Sequence, residues 1–294
     1  MSSSGLCWGL DIGGSFVKIG YLSDSEFVLE HCVPTGIGSN PESVLRESAE
    51  AILAIDPSPA AVGVGAAGLI DHERGLILFS PNLPRWAGTA VTGIINGYVN
   101  APVILDNDCN AFASGAINSG EIPDMGLWLF ITLGTGIGGT IINNGSIIYG
   151  TGSSGEFGHA TVKEGGLPCS CGSSGCWELY AGRKALEWYY SRLTGTSLSP
   201  KEISHQASCG NPAAREAFKE FGRWFGIGLA NLANCFAPRG FFIAGGLSAS
   251  LKHFSISARR EYISRCRHPW SLSMLENSPE AGARGAASMA SRRC

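Results

Sequence analysis

Charge is scarce in this 294-residue chain, where only 15% of residues are Asp, Glu, Lys or Arg. The 21 Lys and Arg stand against 24 Asp and Glu, giving a net charge of -3 with no basic stripe. That balance argues against a primary nucleic-acid binder. Long hydrophobic runs are missing too: the longest, such as residues 127–133, are strand-sized and far short of the about 20 residues that span a bilayer. No membrane association is expected. The first ten residues hold neither a basic segment nor a long apolar one, so a secretory leader is not expected and the cytoplasm is. Short-period repeats and low-complexity linkers are absent, and the 41 glycines follow no three-residue period, which excludes a collagen-like chain. What remains is a folded protein, 44% hydrophobic, with length for one large domain or two medium ones.

Glycine, by contrast, is abundant, and its placement is informative. Residues 6–22 read as a strand, a tight turn at Gly13-Gly14 and a second strand. A second strand-turn-strand spans residues 127–142, around Gly134-Thr135-Gly136-Ile137-Gly138-Gly139. Residues 61–67, 102–105 and 241–244 read as buried strands, the last leading into Gly245-Gly246. Helical spacing covers residues 41–55, 110–117, 178–193, 213–236 and 279–290. Within 213–236 one face carries Phe218, Phe221, Phe225, Leu229, Leu232 and Phe236, with Gly222, Gly226 and Gly228 read as close-packing positions. The recurring strand-plus-glycine unit predicts two similar halves.

Glycine hairpins let backbone N–H groups approach an anion without Cβ obstruction. Asp11, just before the first, is placed to hold hydrated Mg²⁺ beside phosphates, and Thr135 adds a hydroxyl donor in the second. Neither hairpin has the Gly-Lys-Ser/Thr of a P-loop, and the Rossmann spacing fails as well. Taken alone, each could be an ordinary turn.

Cysteine usage divides in two. Cys7, Cys32, Cys109, Cys209, Cys235, Cys266 and Cys294 are scattered singly and read as small buried hydrophobes in a reducing compartment. Cys169, Cys171 and Cys176 cluster in a glycine-rich loop, with His159 ten residues upstream. Three thiols and an imidazole make a closed, structural zinc site; the competing reading is a reduced loop or a strained Cys169–Cys171 disulfide. Polar clusters close several apolar strands: Ser80-Pro81-Asn82, Asp106-Asn107-Asp108, and Glu156 to His159 with Glu178 beyond the thiols. Their mixed donors and acceptors suit sugar hydroxyls, and Asp108 could serve as a desolvated general base. Asn107-Asp108 could equally be a helix cap.

In order along the chain stand Asp11-Ile-Gly-Gly-Ser-x-x-Lys18, Pro81-Asn82-Leu-Pro-x-Trp86, Asn107-Asp108-x-Asn110-Ala111 and Leu133-Gly-Thr-Gly-Ile-Gly-Gly139. Gly155-Glu156-x-Gly-His159, Cys169-x-Cys-Gly-x-x-Gly-Cys-x-Glu178 and Ala244-Gly-Gly246 follow. Together they resemble the ROK family of sugar kinases and repressors, most of all its bacterial glucokinase and N-acetylhexosamine kinase members. The resemblance implies an α/β, two-domain actin-like (ribonuclease H-like) ATPase fold with a zinc-bound loop, divided into residues 1–107 and 108–294, the C-terminal helix packing back on the first. It implies ATP-dependent phosphorylation of a hexose 6-hydroxyl, with glucose the leading substrate and N-acetylglucosamine, N-acetylmannosamine or fructose as alternatives. Asp11, Gly13, Gly14, Ser15, Lys18, Gly134, Thr135, Gly136 and Gly138 would bind ATP phosphates and Mg²⁺, and Gly245 and Gly246 would flank the adenosine. Gly68, Asn82, Asn107, Asp108, Glu156, His159 and Glu178 would line the sugar pocket, with Asp108 as catalytic base. His159 would also join Cys169, Cys171 and Cys176 on structural Zn²⁺. A homodimer is implied.

Two small departures, Ser15 for Thr and Ala244 for Gly, remove no chemical group. The rival within the resemblance is a non-catalytic, sugar-sensing repressor; those members carry a helix-turn-helix segment ahead of the first hairpin, where this sequence has ten residues before Asp11.

Overall fold

The protein is described by a computed structural model covering residues 5–23, 26–80, 82–152, 154–276 and 278–293. Pro81 of the Asn82 motif and Cys294 lie outside the described residues. The chain forms two compact units, residues 1–124, 149–154 and 278–294 in one and residues 125–148 and 155–277 in the other.

The first unit opens with the antiparallel strands β1 (Cys7–Ile12), β2 (Phe16–Ser23) and β3 (Glu26–Pro34), and then α1 (Pro41–Ile55). Asn40 caps α1 by accepting the N–H groups of Glu42 and Ser43, and Pro41 fits the first turn. Next come β4 (Ala61–Ala66), β5 (Leu69–Asp71), β6 (Leu76–Phe79), β7 (Thr89–Ala90), α2 (Val91–Asn96), β8 (Val103–Asn107) and α3 (Asp108–Asn118). The main sheet runs β3-β2-β1-β4-β8, with β4 parallel to both neighbours. Every residue of β4 is buried, as a central parallel strand demands.

The second unit repeats this plan with β9 (Leu127–Leu133), β10 (Ile137–Asn143), β11 (Ser146–Ile147), α4 (Glu178–Ala181), α5 (Arg183–Thr194), α6 (Pro200–Ser208), α7 (Pro212–Phe236), β12 (Gly240–Ala244), α8 (Leu251–Arg265) and β13 (Leu272–Met274). Its sheet order is β11-β10-β9-β12-β13, again an antiparallel meander extended by parallel strands. This duplicated topology is the actin-like arrangement that the sequence implies. Each unit has its own apolar core. Among the described residues no helix is long and apolar enough to cross a membrane.

The last helix, α9 (Ala281–Ser291), packs on β1, β4 and α3 of the first unit. The approach is at backbone distance, since a Cβ on Gly63 would fall 1.9 Å from the Ala286 carbonyl oxygen. The packing also keeps residues 108–124 with the first unit, so the units are drawn differently from the 107/108 division expected from sequence.

Two further expectations need correction. The helix expected over 178–193 is two helices, because Gly182 is extended (φ -98°, ψ 179°) and its N–H closes the short first helix on Glu178. Of the cysteines expected to be buried, Cys109 and Cys266 are, Cys7 is intermediate, and Cys32, Cys209 and Cys235 are exposed. Cys32 lies on the solvent-facing edge strand β3, Cys209 caps α6, and Cys235 sits on the outer face of the last turn of α7. The glycines of α7 do pack closely: a Cβ on Gly222 or Gly226 would strike the Phe254 or Ala258 carbonyl of α8, and one on Gly228 the Trp177 ring. Phe218, Phe221, Phe225, Leu229 and Leu232 are buried, while Phe236 is partly exposed.

Candidate functional site

In the first unit the β1–β2 hairpin closes by a bond from the Gly13 N–H to the Phe16 carbonyl, leaving Gly14 and Ser15 exposed at the turn. Thr35 braces it, its hydroxyl donating to the Gly13 carbonyl and its N–H to that of Ser15. Asp11 pairs across the ladder with Lys18, whose Nζ lies 4.0 Å from its carboxylate and also donates to the Pro279 carbonyl. On the other side Asp11 pairs with Gly65 of β4, where a Cβ would stand 3.8 Å from the Asp108 Cα. Asp11 and Asp108 thus share one end of the sheet. Burial, reinforced by the charge of Asp108 and opposed by Lys18, pushes Asp11 up to about 6. Burial likewise raises Asp108, although the Cys109 N–H, 2.9 Å from Oδ1, favours its charged form. Two carboxylates that resist ionising together are a donor set fitted to a hard, hydrated cation such as Mg²⁺.

Asp108 is the first residue of α3 rather than the end of a strand, and Asn107 caps that helix through its side-chain oxygen. The same Asn107 donates Nδ2–H to the Gly68 carbonyl at 2.8 Å. Cap and candidate ligand are therefore one residue. Asn82 lies beside the hairpin, its Cβ 3.5 Å from where a Cβ of Gly14 would sit. Asp106, which sequence reasoning placed in this cluster without a role, is buried (2% exposed) and bonded to Tyr149, which that reasoning missed. A charged residue inside an apolar strand was the available signal for Asp106. Tyr149 offered none.

In the second unit the Gly134 N–H bonds to the Gly136 carbonyl, Thr135 is exposed, and the Gly138 N–H donates to Thr132 Oγ1. Gly245 lies against the Leu133 carbonyl and precedes the exposed Gly246, so both glycine elements meet at the ends of β9 and β12.

The thiol loop is also in this unit. Ligand atoms of His159, Cys169, Cys171 and Cys176 all lie within 4.8 Å of one another. Cys171 Sγ and Cys176 Sγ are 3.6 Å apart, and Cys169 Sγ is 3.7 Å from His159 Nδ1. Tetrahedral zinc with Zn–S bonds of about 2.3 Å needs sulfurs about 3.8 Å apart, so the donors fit. All three cysteines are free thiols, not a disulfide. Burial, then the neighbouring Cys169 and Cys171, pushes Cys176 up to about 12, while backbone bonding to Ser173 lowers Cys171. A divalent cation removes that conflict by holding all three as thiolates. The turn needs Gly175, which has a φ of +75° and would place a Cβ 1.8 Å from the Lys163 carbonyl oxygen. With Nδ1 facing the thiols, His159 Nε2 faces Glu156, 3.8 Å from its carboxylate.

Glu178 joins the thiol loop to the second hairpin. Its Oε1 is 3.7 Å from both His159 Nδ1 and Cys169 Sγ, and its Oε2 would lie 2.2 Å from a Cβ on Gly136. Gly136→Ala must therefore displace the Glu178 carboxylate. On the role that the sequence resemblance implies for Glu178, the expected result is a severalfold loss of hexose affinity with the zinc content unchanged, read by calorimetric titration and elemental analysis; unchanged affinity would mean the carboxylate does not need this position.

The ROK family profile matches residues 7–293. The chain is 36% identical to a glucokinase of Streptomyces coelicolor over 265 residues, 83% of each chain. It is 31% identical to the xylose repressor of Bacillus subtilis over 276 residues, 89% of this chain and 70% of the repressor. A ROK glucokinase from Streptomyces griseus, solved in complex with glucose and AMPPNP, superposes with a TM-score of 0.80 at 32% identity, covering 98% of this chain and 100% of that one. With the duplicated topology, the Cys₃His cluster and a profile match along almost its whole length, this chain belongs to the ROK family.

Proposed function

We propose that the protein is a sugar kinase that transfers the γ-phosphoryl group of ATP to the 6-hydroxyl of a hexose, glucose first among the candidates. The observation that carries this reading is Asp108: a burial-raised carboxylate on a helix N-terminus, sharing a sheet end with Asp11 and a glycine hairpin. A phosphoryl acceptor needs a base at its hydroxyl and charge-stabilising groups at the phosphates, and the first unit supplies both. The glucokinase relatives support the same assignment.

In this reading Asp108 accepts the 6-hydroxyl proton as the sugar oxygen attacks the γ-phosphorus. Backbone N–H groups of the exposed turns at Gly14-Ser15 and Thr135-Gly136, with Lys18, hold phosphate oxygens. Asp11 holds Mg²⁺, which supplies charge neutralisation at the phosphates when bound. Asn82, Asn107, Glu156, His159 and Glu178 meet the other sugar hydroxyls, and Gly245 and Gly246 border the adenosine. Cys169, Cys171, Cys176 and His159 Nδ1 would hold zinc, which would supply orientation and not chemistry, keeping the imidazole with Nε2 toward Glu156. The expected homodimer belongs to the same proposal.

The xylose repressor relatives favour a second reading, a sugar sensor without turnover. The two separate in one assay: ATP consumption across glucose, N-acetylglucosamine, N-acetylmannosamine, fructose and xylose. Hexose-stimulated consumption, greatest with glucose, is expected. Sugar binding with no consumption would support the sensor.

A further inference from the structure

We propose that Tyr149 and Asp106 are positioning residues for the Asn107-Asp108 turn, a role that rests on the kinase reading above. Asp106 is the penultimate residue of β8, and its carboxylate is wrapped by three donors. Oδ1 accepts from the Asn107 N–H at 2.7 Å and from Asn110 Nδ2 at 2.8 Å. Oδ2 accepts from the Tyr149 hydroxyl at 2.8 Å. All three are donors, so the arrangement suits an ionised carboxylate, a costly group to bury unless each oxygen is served. His72 completes the cluster. Its ring meets the Tyr149 ring at 4.5 Å, and its Nδ1, 4.0 Å from Asp106 Oδ1, is buried without a hydrogen-bond partner among the described residues.

The consequence for the site follows from what Asp106 holds. The Asn107 N–H and the Asn110 side chain sit on either side of Asp108, and Asn107 itself fixes the helix cap and the Gly68 carbonyl. Asp106 therefore sets the first turn of α3, and with it the direction of the base. Tyr149 donates to it from outside that turn, from the short segment 149–154 that the chain contributes to the first unit. Seven residues later in sequence stands Glu156, one of the proposed sugar ligands. A phenol without direct contact to substrate thus bears on proton transfer through two intermediaries.

Tyr149→Phe deletes one hydroxyl from a half-exposed side chain and leaves the ring on His72. Kinetics on whichever hexose the wild type phosphorylates are expected to show kcat lowered at least tenfold per hexose-binding site. KM for ATP should stay within about threefold, because the groups proposed to bind it lie outside the Asp106 cluster. Asn110→Ala removes a second donor from the same carboxylate and should act in the same direction, the two losses combining less than multiplicatively. A merely structural role would lower Tm or the titrated fraction of sites and leave kcat per site alone. Wild-type kcat per site in Tyr149→Phe, or in Asn110→Ala should the first variant not fold, would overturn the inference. A wild-type protein that turns over no hexose would instead overturn the kinase reading itself.

Discussion

Asp108→Asn is expected to lower kcat by about 10²–10⁴-fold while the protein still binds its hexose, since removing a positioned general base typically costs this much. Asparagine keeps the size and the helix-start position of Asp108 but cannot take the proton of the attacking hydroxyl. Helix α3 should survive, because the cap belongs to Asn107. The pH profile of the wild type carries the same information. The base acts only when ionised, and burial raises its pKa, so kcat should fall with decreasing pH on a limb above the ordinary Asp value of about 3.9. Calorimetric hexose titration beside steady-state kinetics checks both halves of the expectation. Near-wild-type kcat in Asp108→Asn would remove Asp108 from the chemistry.

The second large effect concerns zinc. Cys176 is fully buried and its Sγ lies 3.6 Å from that of Cys171, so Cys176→Ser removes a central ligand. The variant is expected to lose its zinc, and hexose affinity should fall by at least about tenfold, the scale on which groups orienting a site act. Without an ion to hold them, the three crowded thiols and the His159 ring would lose their common centre, and Glu178, whose Oε1 is 3.7 Å from both His159 Nδ1 and Cys169 Sγ, would lose fixed neighbours. Elemental analysis and hexose titration on the same preparation decide the matter. A zinc-free protein with wild-type hexose affinity would contradict the orienting role.

Both predictions rest on features legible in the chain, because both are written locally. The Gly13-Gly14 pair between two apolar runs encodes the β1–β2 hairpin, and Cys169, Cys171 and Cys176 are close in space because they are close in sequence. The same holds for α1, whose Asn40-Pro41 start and apolar spacing need no partner to be read. Helix α8 and strand β3 escaped because their signals lie elsewhere. The sequence of α8 is largely polar, and its docking is encoded by Gly222 and Gly226 on α7, which showed close packing but not its partner. Strand β3 covers an edge and is mostly exposed, so it lacks the apolar run that marked β4. Helices α4 and α5 were read as one because glycine within a helical pattern is tolerated in general, whereas Gly182 must turn to pass the Glu178 and Thr135 carbonyls. The Tyr149–Asp106 bond joins residues 43 apart, and nothing in either local pattern announces it.

The central claim is phosphoryl transfer to a sugar, and product analysis tests it most directly. Purified protein with ATP, Mg²⁺ and glucose, followed by ³¹P and ¹³C NMR, is predicted to give ADP and glucose 6-phosphate in equal amounts. Bound glucose with neither product formed, or ADP and inorganic phosphate without a sugar phosphate, would contradict it.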